Sequence, residues 1–144
     1  MKDPATAIRT AYFSLLNGMT VGGKLIKLYD SVAPDNAVPP YLIIKSQQTL
    51  DESTKTGFGA DHRITLASVA RWTGDTAGKK PAEEVANAAL ALIMPAPGAV
   101  GLPQQAEFHI YTATWENGID VQLDTKSGTD YQRVFTIKHL VQEL

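Results

Sequence analysis

The sequence predicts an α+β domain: a largely antiparallel sheet with two main helices packed on one face, in the order α-β-β-β-α-β-(β)-β. Three observations carry this. Apolar residues recur at three- and four-residue spacing in two stretches, residues 4–16 and residues 81–93. Between them, residues 62–72 alternate apolar and polar, and from residue 107 the chain is rich in aromatic and β-branched residues. Strands gathered in runs, with helices set apart from them, read as α+β rather than α/β. The length of 144 residues fits a single domain, residues 1–144.

The first helix takes Asp3 as its N-cap, with Pro4 at the first helical position, where a missing N–H costs nothing. Ala5, Ile8, Tyr12, Leu15 and Leu16 share one stripe, and Asn17-Gly18 supplies a stop tolerant of positive φ. Gly22-Gly23 opens a short β-compatible segment, residues 24–29, which a proline-rich stretch then ends. Tyr41-Leu42-Ile43-Ile44 follows Pro39-Pro40 without alternation, as a strand buried on both faces would.

Residues 50–60 are polar and carry Phe58 between Gly57 and Gly59, which predicts an extended loop whose glycines adopt positive φ. In the next strand Ile64, Leu66, Ala70 and Trp72 face one way, and Arg63, Thr65 and Arg71 the other. Residues 73–80 form a second loop. The second helix begins near Pro81 with Glu83 and Glu84 in its first turn, complementing the helix dipole. Its buried stripe is Val85, Ala88, Ala89 and Leu92, with Ile93 beside it, and Pro95 and Pro97 end it. Residues 108–115 read as a strand, Asn117-Gly118 as a two-residue hairpin turn, Val121-Gln122-Leu123 as a short strand and residues 126–129 as a turn. Tyr131, Phe135, Ile137 and Val141 mark one face of the last strand.

Composition excludes several mechanisms. An apolar fraction of 44% with 19% charged residues is that of a folded domain rather than a disordered chain. A formal charge of −2 argues against electrostatically driven nucleic-acid binding. With no cysteine there is no disulfide framework, thiolate metal site or thiol nucleophile. No stretch has the apolar length of a signal peptide or a membrane span, so no membrane partner is expected and the default location is the cytoplasm or an assembly built there.

Catalytic constellations are missing. His62, His109 and His139 fall in separate strands and outside any H-x-x-x-H pattern, so they read as surface or hydrogen-bonded strand histidines rather than metal ligands. Gly57-Phe58-Gly59 lacks the third glycine and the following helix of a phosphate-binding turn. Gly78-Lys79-Lys80-Pro81 has proline where a P-loop places its Ser or Thr. Asp51-Glu52 and Glu83-Glu84 are adjacent pairs with no setting that would separate their pKa values. Tyr111 and Trp115 have no basic groove beside them to suit base stacking, and read as core or interface residues. The expectation is a protein that binds other protein, without catalysis, metal or cofactor. The alternative is a stand-alone small-ligand-binding or enzymatic α+β domain with an unrecognised site.

The order Tyr29-Asp30, Ala33-Pro34, Pro40-Tyr41-Leu42-Ile43-Ile44, Thr54-Lys55-Thr56-Gly57-Phe58-Gly59, a strand ending in Arg71-Trp72, and a helix containing Glu84-Val85-Ala86 resembles one family. These are the tail-completion, or tail-terminator-like, proteins of long-tailed bacteriophages and prophages. One departure is that Arg71 precedes Trp72. The resemblance implies a small structural subunit, not an enzyme, with no cofactor. It would form a ring, commonly a hexamer, at the head-proximal end of the tail tube, ending tube polymerisation and joining tail to head. Implied partners are further copies of itself, the tail-tube protein and head–tail connector proteins. The implied location is the virion tail, after assembly in the bacterial cytoplasm. Thr54, Lys55, Phe58 and Arg71 are the candidate interface residues, with the Phe58 loop ordering on contact.

Overall fold

In a computed structural model, which describes residues 1–72, 78–125 and 128–144, the elements are α1 (Ala5–Leu16), β1 (Met19–Val21), β2 (Lys24–Ile26), β3 (Leu28–Asp30), β4 (Tyr41–Asp51), β5 (Gly59–Trp72), α2 (Lys80–Ile93), β6 (Phe108–Ile110), β7 (Thr114–Thr125) and β8 (Gly128–Glu143). The order is consistent with the α+β reading. The spatial order of the main sheet is β3-β4-β5-β8, with β6 and β7 both beside β8. All its pairs are antiparallel except β3 with β4.

Both helices cover the same face. Ile8, Tyr12 and Leu16 of α1 and Val85, Ala89 and Ile93 of α2 share one core with Leu42, Ile44, Ile64, Leu66, Phe135 and Ile137. The other face holds a smaller cluster of Tyr41, Ile43 and Val69, on which Tyr29 packs edge-on against Tyr41 at 5.6 Å. Residues 41–44 are therefore buried from both sides, which accounts for their unbroken apolar run. A bulge between Ile44 and Ser46 then changes which residues of β4 face the helices.

Several boundaries differ from expectation for identifiable reasons. Asp3 does not occupy the N-cap: Pro4 does, and the Asp3 carboxylate accepts the Ala5 N–H at 3.0 Å from one residue further back. Residues 24–29 are two strands rather than one. Gly22 and Gly23, at φ 58° and 80°, form the turn of a β1–β2 hairpin, after which the chain joins the main sheet as β3. The buried stripe of α2 is Ala82, Val85, Ala86, Ala89 and Ile93; Ala88 is half-buried and Leu92 exposed. The stripe is small-faced as expected but rotated, and Ser68 holds the first turn by donating its hydroxyl to the Ala82 carbonyl at 2.6 Å.

The segment 108–115 is not one strand. β6 and β7 flank an irregular arch in which Thr112 uses its hydroxyl to accept the Leu140 N–H. Asn117-Gly118 makes no turn; both residues lie inside β7, just past a bulge between Trp115 and Asn117. Gly118 answers a close approach instead: a Cβ there would lie 2.7 Å from the Arg133 guanidinium. Pairing of β7 with β8 runs on to Thr125 opposite Gly128, so Gly128 and Thr129 of the expected 126–129 turn belong to β8. Residues 126–127 of that turn, like residues 73–77 of the second loop, lie outside the described residues.

Candidate assembly interface

Residues 50–60 form the end of the β4–β5 hairpin rather than an extended loop. Asp51 pairs with Ala60, the Glu52 N–H reaches the Gly59 carbonyl at 2.9 Å, and the Thr54 N–H reaches the Gly57 carbonyl at 2.9 Å. The alternation needed for this register is hidden by the polar character of an exposed tip. Neither Gly57 nor Gly59 has positive φ. Gly59 serves close packing, since a Cβ would meet the Glu52 carbonyl oxygen at 2.9 Å.

Thr54, Lys55 and Phe58 come together on this tip, all exposed. The Phe58 ring is 50% exposed, while its carbonyl accepts the Glu143 N–H at 3.0 Å and ties the tip to the end of β8. Arg71 is not with them. It stands near the far end of β5, twelve residues beyond Gly59, or about 40 Å at the rise of a strand. There its Nε donates to the Asp130 carboxylate at 2.8 Å, and that bond raises the guanidinium pKa. Half-buried against its cross-strand partner, Arg71 closes the sheet at that end.

β7 is a surface that motif reading passed over. Among the described residues it pairs only with β8. Ile119, Val121 and Leu123 stand exposed along it at 59%, 36% and 48%. The alternation Ile-Asp-Val-Gln-Leu-Asp over residues 119–124 was the available signal, obscured by reading Asn117-Gly118 as a turn. Trp115, 49% exposed, lies before the bulge and lines an open groove of about 390 Å³ against α2, with Asn87, Leu90 and Arg133. Tyr111, 48% exposed, stacks on His109 at 5.9 Å. Neither aromatic belongs to the core.

His62 and His139 are wholly buried, directly opposite each other on β5 and β8, and face α1. The His139 Nδ1–H donates to the Thr112 carbonyl at 2.9 Å, leaving Nε2 to accept the Tyr12 hydroxyl at 2.6 Å. The Gln47 amide donates to the Ala5 carbonyl and to His62 Nε2, while its oxygen accepts from Arg9. His62 Nδ1–H then donates to Thr49, which donates to Asp3. Burial lowers both imidazole pKa values to about 4, with the His139 charge contributing at His62. These are satisfied core histidines that fasten α1 to the sheet. Among the described residues no cluster of three or more His, Asp or Glu side chains is placed to hold a metal ion. No helix among them is long and apolar enough to cross a membrane.

Comparison with known proteins adds to this geometry. The model of the family described as tail completion protein gp17 matches residues 6–126. A chain from a solved structure, the virion of a native gene transfer agent particle, is similar in fold with a TM-score of 0.74 and 21% sequence identity, over 99% of each chain. No curated protein sequence matches the chain.

Proposed function

The chain belongs to the tail completion protein gp17 family, and from that premise we propose that it is a structural subunit of a phage or prophage tail. It forms a ring, a hexamer, on the head-proximal end of the tail tube, where it stops tube polymerisation and offers the surface that joins tail to head. Its partners are further copies of itself, the tail-tube protein and the head–tail connector proteins. It assembles in the bacterial cytoplasm and remains in the virion tail.

The family match over residues 6–126 carries this reading. The surface supports it in kind. A strand carrying exposed apolar side chains, which pairs on one side only among the described residues, and an exposed hairpin tip suit work done through protein contacts, and edge strands recruit further chains by main-chain pairing. A ring requires one patch to meet a different patch on the next copy, and two separate exposed regions meet that requirement. The formal charge of −2 suits a ring through which DNA slides without being gripped. On this reading the protein acts by its surfaces and not as an enzyme.

The test is removal of the chain from the phage or prophage that encodes it, with electron microscopy of the particles. Full heads unjoined to tails, and tails of uncontrolled length, are expected. Normal joined particles would overturn the proposal.

A further inference from the structure

We propose that the Gln47 side-chain amide is a proton-sensitive latch: a second proton on His62 releases the segment that opens α1, residues 3–7, from the sheet while the rest of the chain stays folded.

The hydrogens of the latch can be placed in only one way. The Arg9 guanidinium has only N–H groups to offer, and it lies 2.9 Å from Gln47 Oε1. The Ala5 carbonyl can only accept, and it lies 2.9 Å from Gln47 Nε2. These two partners fix the amide, whose Nε2 also lies 3.1 Å from His62 Nε2. That ring nitrogen must therefore be bare, and the ring proton sits on Nδ1. Nδ1–H donates to the Thr49 hydroxyl at 2.9 Å, which donates in turn to the Asp3 carboxylate at 2.9 Å. The chain of bonds begins at Arg9 and ends at Asp3. Both ends belong to the α1 segment, and the middle belongs to β4 and β5.

A proton added at Nε2 finds no acceptor. Turning the amide over would offer Oε1 to the imidazolium, but it would set that oxygen against the Ala5 carbonyl and the NH2 group against Arg9. His62 is wholly buried, so water cannot take the extra hydrogen while the segment is docked. From α1 and the residues before it, Asp3, Arg9 and the Tyr12 phenol face this network. From β8 comes His139, and from β4 only the uncharged Gln47 and Thr49. Burial and His139 oppose the proton on His62, while the carboxylates of Asp3 and of Asp61, next along β5, favour it. Burial prevails and lowers the imidazole to about 4, against about 6.5 for a solvated ring. Docking is thus complete above about pH 6.5 and weakens by up to about tenfold per pH unit as the pH falls toward 4.

Little else holds the segment. Of residues 3–7 only Pro4 is buried. Among the described residues, their hydrogen bonds to the sheet are those from Gln47 and Thr49. Ile8, Tyr12 and Leu16 anchor the remainder of the helix in the core, so release is local. Met1 and Lys2 line one small cleft with Phe58, so movement of the segment reaches the exposed hairpin tip.

NMR of the full chain from pH 7.5 to 3.5 tests the latch, reading the His62 ring and the backbone amides together. Amides of residues 5–7 should shift with the His62 midpoint, near pH 4, while those of Leu66 and Ile137 hold their positions. Gln47→Glu offers an acceptor in place of the N–H. It should raise the His62 midpoint by about 1–3 units and carry the amide response up with it. Asp3→Asn should keep the response, and His62→Gln should abolish it. Thermal melting at pH 7.5 shows that each variant is folded, and the wild-type titration decides by itself where one is not. Amides of residues 5–7 that stay still while His62 titrates would overturn the proposal. So would loss of all native signals together at that midpoint, a response that survives His62→Gln or vanishes in Asp3→Asn, or an unchanged midpoint in Gln47→Glu.

Discussion

The Tyr12 hydroxyl donates to His139 Nε2 at 2.6 Å in a site from which water is excluded, joining the middle of α1 to the last strand. Burial holds the phenol well above its usual pKa, so it remains a donor. The Thr112 carbonyl fixes the imidazole tautomer that accepts it. Tyr12→Phe leaves Nε2 buried without a donor, and the expected cost is about 1–3 kcal/mol. Urea unfolding at pH 7.5 measures it; an unchanged midpoint would show that the bond adds nothing.

The same burial sets a pH dependence. Folded pKa values of about 4 for His62 and His139 lie below the unfolded value of about 6.5. The folded state thus favours the neutral rings, and the unfolded chain binds more protons between those limits. Stability should be complete above about pH 6.5 and fall as the pH drops toward 4, by about 2–3 kcal/mol for each histidine. Urea midpoints from pH 7.5 to 4 report the slope, and His62→Gln should flatten it. An identical slope in that variant would remove His62 from the account.

Gly101 lies under the end of α2, donating its N–H to the Ile93 carbonyl at 2.8 Å, and an added Cβ would overlap the Leu92 carbonyl oxygen. The obstacle is backbone, so Gly101→Ala should destabilise by about 1–3 kcal/mol or more. Gly57→Ala is the control, since its Cβ would meet only the Gln142 side chain at 3.8 Å. Thermal melting should show a drop of several degrees for the first and little for the second.

Elements governed by local chemistry were legible from sequence. The apolar stripe and Asn17-Gly18 mark α1, the flanking prolines mark the end of α2, and the alternation from Ile64 to Trp72 marks β5. What escaped depends on tertiary partners. Asn117-Gly118 is a turn signal by local propensity, yet pairing along the whole of β8 keeps it straight. His62 and His139 lie 77 residues apart in number and become neighbours only through the β5–β8 register. Thr54, Lys55 and Phe58 share the hairpin tip as a local motif should. Arg71 does not, because a strand carries it to the far end of the sheet.

Phe58 separates assembly from folding. Its ring is half exposed, and the bond from Glu143 goes to its main-chain carbonyl, which alanine retains. Phe58→Ala should impair assembly while shifting the melting temperature of the single chain by no more than a few degrees. A large fall in melting temperature would make the ring a core element and remove it from the interface.

The central claim, that this chain works by closing on copies of itself, is tested most directly by its mass in solution. Native mass spectrometry across a range of concentrations should find a closed species at a whole multiple of 15.5 kDa, six copies for the hexamer, that does not grow further. A mass of 15.5 kDa at every concentration would contradict it.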